Sequence, residues 1–217
     1  MFSKPTRLTS SNVMGPTGAG KSTFINMLFG GEERVAVGHS LNSPGPVRKL
    51  IIVDTPGYGA GAKLAGVIYL RDICQRRITE PTKKNLEVFD RLCGGDACKS
   101  IVLGTTQWAR VPADEHKVAG RREQELRDNY WKEMIRKGSA MQRVDDTCTN
   151  ASPWDLIDTV LLKGISPTLL IQQELMDMDR SLPQTEAAAV LRGRIEELIK
   201  GLKSSGASKE EVQALVQ

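Results

Sequence analysis

The segment Gly15-Pro16-Thr17-Gly18-Ala19-Gly20-Lys21-Ser22 constrains this chain more than any other. It matches G-x-x-x-x-G-K-[ST] in full, a spacing that works only between a strand and a helix. Its glycines let the backbone curl until successive N–H groups face one anion, and the helix that follows adds its positive N-terminal end. In this reading Lys21 reaches the β- and γ-phosphates of a nucleoside triphosphate, and the Ser22 hydroxyl ligates Mg²⁺. The candidate phosphate-binding residues are therefore Gly15, Pro16, Thr17, Gly18, Ala19, Gly20, Lys21 and Ser22.

Downstream, Leu50, Ile51, Ile52 and Val53 form an apolar run that ends in Asp54, the pattern of a buried parallel strand. At the C-terminal end of that strand the Asp54 carboxylate is placed to hold magnesium through water, and Thr55-Pro56-Gly57 complete D-x-x-G. Ala65–Leu70 and Ser100–Thr105 are further apolar runs. A short strand ending at Val13 and Met14 leads into the glycine turn, and a helix runs from about Lys21 to Phe29. Thr82–Cys93 carries Leu86, Phe89 and Leu92 at helical spacing, and Glu115–Lys137 reads as a charged helix stopped by Gly138. Ser152-Pro153-Trp154-Asp155 is a helix start with a capping serine and a proline in the first turn, and Ser166-Pro167 repeats the device.

Strands alternating with helices predict an α/β fold, three-layered with a mostly parallel sheet. Residues 1–12 read as a flexible N-terminus, 13–180 as the phosphate-binding domain and 181–217 as a helical tail. In the tail, Ala188, Leu191, Ile195, Leu198 and Leu202 make a heptad stripe about two heptads long, suited to docking on the domain or to a coiled-coil dimer. Ser208 and Glu211 read as a capping box for a last short helix.

A chain of 217 residues, 40% hydrophobic, has room for one such domain plus helices. The net charge of +4 is spread among acidic residues, which argues against a nucleic-acid groove. Cys74, Cys93, Cys98 and Cys148 lack paired zinc spacing, and with no secretory signal they read as reduced thiols of a cytoplasmic protein. No apolar run approaches the roughly 20 residues of a membrane-spanning helix.

The string Gly15–Asn26 together with Val53–Gly57 (VDTPG) resembles the P-loop GTPases, more narrowly the fungal G-domain proteins related to immunity-associated GTPases and septins. Weaker similarity lies in Lys63–Leu70, Ile101–Trp108 and Ile171–Leu175. The resemblance implies GTP binding, Mg²⁺, contact of the Gly57 N–H with the γ-phosphate, and homodimerisation across the nucleotide; the heptad tail offers another route to a dimer. Three departures stand out. The base-recognition motif N-K-x-D is replaced by Thr106-Gln107-Trp108-Ala109, which lacks the carboxylate that reads guanine, so Thr106, Gln107 and Trp108 are weak base-contact candidates. Trp108 reads either as a stacking platform or as a core residue. Tyr58 stands where many GTPases place a water-orienting Gln, which predicts slow hydrolysis and leaves the catalytic residues unassigned.

The third departure is length. About ten residues join Asp54 to the strand near Leu64, where a parallel crossover normally needs a dozen or more. No threonine lies between Phe24 and Thr55 to cap the magnesium, so the domain reads as shortened around its switch segments. Two other functions fit the same residues: an ATP-binding P-loop protein, and an interaction protein with a vestigial nucleotide site.

Overall fold

The computed structural model describes residues 9–28, 63–144, 152–163 and 168–204. They fall into two compact units, one drawn from residues 1–79 and 95–168 and the other from 80–94 and 169–217. The first unit holds the sheet. Its strands are β1 (Thr9–Met14), β2 (Lys63–Asp72), β3 (Ile101–Thr106) and β4 (Ala140–Arg143), in the order β1-β2-β3-β4. All three ladders are parallel. Val13 lies opposite Ile68, and Val67 opposite Ile101. The α/β class read from the sequence is present.

Two strands differ from their expected extents. β1 begins at Thr9, within the stretch read as a flexible N-terminus, and β2 continues past Leu70 through Arg71 and Asp72. Polar and charged residues hid both extensions, because the ladder to a neighbouring strand holds them rather than an apolar pattern of their own. β4 (AMQR) gave no strand signal at all.

Helix α1 (Lys21–Leu28) follows β1, and α5 (Pro153–Leu162) lies on the same face of the sheet. Alternation along the strands sends Ile68, Leu70 and Val102 to this side, where they form one buried cluster with Phe24, Ile25, Leu156 and Val160. Each such side chain contributes about 1.5–3 kcal/mol by leaving water. α5 starts as its sequence predicts: Ser152 Oγ accepts from Asp155 N at 3.3 Å, and Asp155 Oδ2 accepts from Ser152 N at 2.6 Å.

The opposite face receives the charged helix, which is not one uninterrupted α-helix. α3 (His116–Glu125) passes into a π-turn (Leu126–Tyr130), and α4 (Lys132–Arg136) follows. Trp131 N donates to Leu126 O at 2.8 Å, a five-residue step. That step places both Leu126 and Trp131 in the interior, which plain helical spacing would not do. Trp131 then meets Tyr69 of β2 edge-on, with ring centroids 6.4 Å apart.

The second unit joins α2 (Glu80–Cys93), the single turn α6 (Leu170–Gln172) with its π-turn (Gln173–Asp177), and α7 (Glu186–Ser204). α2 and α7 pack together, with an Arg91–Glu186 ion pair at 2.9 Å on the surface. Glu174 is fully buried there, and its Oε1 accepts from Arg180 Nη1 at 2.7 Å and from Glu186 N at 3.0 Å. Along α7, Ala187 is buried while Ile195 and Leu198 are exposed. Among the described residues no helix is long and apolar enough to cross a membrane.

Candidate phosphate-binding site

β1 delivers the chain to Gly15 at the C-terminal end of the sheet, and α1 opens on Lys21 six residues later. Gly15, Gly18 and Gly20 have φ of 141°, 81° and 80°, values that L side chains rarely adopt. At Gly15 space is decisive as well, since a Cβ would stand 2.2 Å from the Leu70 carbonyl oxygen. Ala19 is buried beneath the loop; its N–H donates to Pro16 O at 3.2 Å. Gly20 O accepts from Phe24 N at 2.8 Å as the first turn of α1 forms. Thr17 and Gly18 stay exposed at the tip.

Lys21 Nζ donates to Gly15 O at 2.8 Å and to Pro16 O at 2.7 Å, folding the side chain back over the loop. Burial away from water lowers its pKa from the ordinary 10.5. Ser22 is partly buried in the first turn of α1, next to Lys21. Asp54 and Gly57, like Tyr58, lie outside the described residues.

β3 ends beside this loop and ties it down. Thr106 Oγ1 is 3.0 Å from Ala19 O and 3.2 Å from Arg71 O, one hydroxyl proton shared between the glycine loop and the end of β2. Gln107 has a left-handed backbone, φ 66°, and its side-chain amide lies close to Gly20. Trp108 is buried. Its indole N–H donates to Thr105 Oγ1 at 3.0 Å, and the Arg143 guanidinium lies 4.1 Å over the ring. Thr105 Oγ1 in turn donates to Glu123 Oε1 at 3.1 Å, while Glu123 Oε2 accepts from Arg143 Nη2 at 2.6 Å. Trp108, Thr105, Glu123 and Arg143 thus close a ring of contacts drawn from β3, the turn that follows it, α3 and β4.

Between the first turns of α1 and the end of β3 lies a cavity of ≈ 160 Å³. Thr106 and Gln107 line it together with Gly20, Thr23, Ala109 and Arg110; Trp108 does not. No carboxylate stands in its wall among the described residues. Thr23 and Arg110 were not foreseen. Thr23 follows the Lys-Ser pair on the helix, and Arg110 is brought in by a tight turn in which its N–H donates to Gln107 O at 3.1 Å; only the first of these was readable as a spacing.

A parallel strand, a loop of positive-φ glycines and a helix opening on Lys-Ser define a P-loop α/β domain. No family model matches the chain. The cell division control protein 11 of Encephalitozoon cuniculi (strain GB-M1) is 38% identical over 55 residues, which cover 22% of this chain and 21% of that protein. The chain thus matches about a fifth of that relative's length. Among solved structures, Toc33 from Arabidopsis thaliana in complex with Mg²⁺ and GMPPNP superposes with a TM-score of 0.49 at 16% identity, covering 73% of this chain and 84% of that one. The same protein in complex with GDP and Mg²⁺ gives 0.47 at 16% identity, over 80% and 86%.

Proposed function

We propose that this chain binds a nucleoside triphosphate with Mg²⁺ through residues 15–22, with GTP as the preferred nucleotide and slow hydrolysis that serves as a switch or drives assembly. One observation carries the reading: the Lys21 ammonium is held by two carbonyls of a loop whose three glycines all have positive φ. An ammonium in that position needs only to exchange two neutral acceptors for phosphate oxygens, and charge-assisted hydrogen bonds are the stronger kind. Ser22 would ligate the metal directly, and Asp54 would join it through water. When bound, the metal would neutralise charge between the β- and γ-phosphates.

GTP preference rests on the D-T-P-G string and the family resemblance. Among the described residues the cavity beside Gln107 has no carboxylate in its wall, so discrimination between guanine and adenine would fall to the Gln107 amide, which has both a donor and an acceptor. That feature favours modest selectivity, and it keeps ATP as the second reading.

The test is a titration with fluorescent GTP and ATP analogues, with and without Mg²⁺. Magnesium-dependent binding should disappear in Lys21→Ala. Failure of a folded sample to bind either nucleotide would leave a vestigial site in an interaction protein. The resemblance also proposes a homodimer formed across the nucleotide, with the exposed stretch of α7 as a second route. A sedimentation run with and without the GTP analogue separates them, because only the first depends on nucleotide.

A further inference from the structure

At the C-terminal end of β2, on the sheet face covered by α3, lies a second cavity of ≈ 280 Å³. Its wall includes Arg71, Arg76, Arg77 and Arg122, with Asp72 and Glu125. Arg71 is only 3% exposed. Its Nη2 makes one long hydrogen bond, 3.4 Å to Arg77 O, and its Nη1 has no hydrogen-bond partner among the described residues. A buried guanidinium with unmet donors is costly, and folded proteins keep such groups where something pairs with them.

The Asp72 charge favours the charged guanidinium, but among the described residues no neighbouring carboxylate accepts a hydrogen bond from it. Asp72 Oδ1 accepts from Cys74 N at 2.7 Å. Glu115 is shared, at 2.7 Å from Arg76 Nη2 and 3.2 Å from Arg122 Nη2. Arg122 Nη1 is already committed to Ile73 O at 2.8 Å. Arg77 is exposed and has no ion pair among the described residues. Four guanidinium groups therefore meet three carboxylates, and the two least satisfied, Arg71 and Arg77, both line the cavity.

We propose that this cavity is a binding site for a phosphate group, with Arg71 donating from the interior and Arg77 from the exposed side. The arginines come from a strand, a loop and a helix, so donors approach from several directions. A tetrahedral phosphate accepts from several directions; a carboxylate accepts in one plane. The site uses none of the residues 15–22 and does not depend on the nucleotide reading.

The test uses the full chain carrying Lys21→Ala, which removes the loop lysine as a competing phosphate ligand. Calorimetric titration with inorganic phosphate should show one site. Adding Arg77→Gln should weaken it about tenfold or more, and Arg71→Met should abolish it. If Arg71→Met does not fold, Arg77→Gln still decides, because that exposed side chain supports nothing else. A second titration with phenyl phosphate identifies the source: tighter binding than inorganic phosphate assigns a phosphate ester, equal or weaker binding assigns free phosphate. Three results would overturn the proposal: no phosphate binding by the Lys21→Ala chain, equal binding with and without Arg77→Gln, or acetate competing as well as phosphate.

Discussion

With its ammonium between the Gly15 and Pro16 carbonyls, Lys21 is pushed toward the neutral form by desolvation, and a phosphate in the loop would push it back toward the charged form. Nucleotide binding then takes up a proton at pH values above the lowered pKa. Affinity should be flat below that value and fall as pH rises through it; a dissociation constant independent of pH up to 10.5 would contradict it. The sign reverses for folding of the nucleotide-free protein. Its folded pKa is depressed, so the unfolded chain binds more protons between the lowered value and 10.5, and stability rises with pH across that window. Gly15 makes a harsher demand. In Gly15→Ala the new methyl would meet the Leu70 carbonyl oxygen at 2.2 Å with φ at 141°. Strain and overpacking together should cost about 2–4 kcal/mol in urea unfolding.

At the scale of elements, α5 offers two measurements of different size. Ser152→Ala removes the cap and should cost about 1 kcal/mol. Leu156→Ala empties a fully buried position between α5 and the sheet and should cost about 2–5 kcal/mol. Equal losses would mean that the helix is held by its end rather than by its face. The two also differ in how openly the sequence shows them. Ser152 and Asp155 are three residues apart, and the phosphate loop is eight consecutive residues, so both were legible as short strings. β4 was not, because Ala140–Arg143 has no alternation and is a strand only through its ladder to β3. The role of Trp108 was equally hidden. Its partners Thr105, Glu123 and Arg143 sit on three separate elements, and nothing local distinguishes a base-stacking tryptophan from one locked under an arginine. The glycine loop was readable and the surroundings of Trp108 were not, because the first is one segment and the second is an assembly.

For the molecule as a whole, a ligand that binds only the folded sheet unit stabilises it by mass action. At a GTP·Mg²⁺ concentration about a hundredfold above its dissociation constant the gain should be about 2.7 kcal/mol. Hydrogen exchange is the suitable readout, because the described chain forms two compact units and a single melting temperature would blend them. Slowed exchange is expected in β1, α1 and the end of β3. No change there on saturation would count against nucleotide binding by this loop.

The hydroxyl of Thr106 has a consequence in time as well as in space. Its bond to Ala19 O spans 87 residues, whereas the β2–β3 and β3–β4 ladders join positions much closer along the chain. Contacts between distant positions close late in folding, since the loop entropy must be paid before they form. β2, β3 and β4 should therefore assemble first, leaving the phosphate loop shapeless until β1 docks. Pulse-labelled exchange during refolding should find β2 and β3 amides protected before those of β1. On that order, the proposed nucleotide site would be the last part of the sheet unit to take shape as it folds.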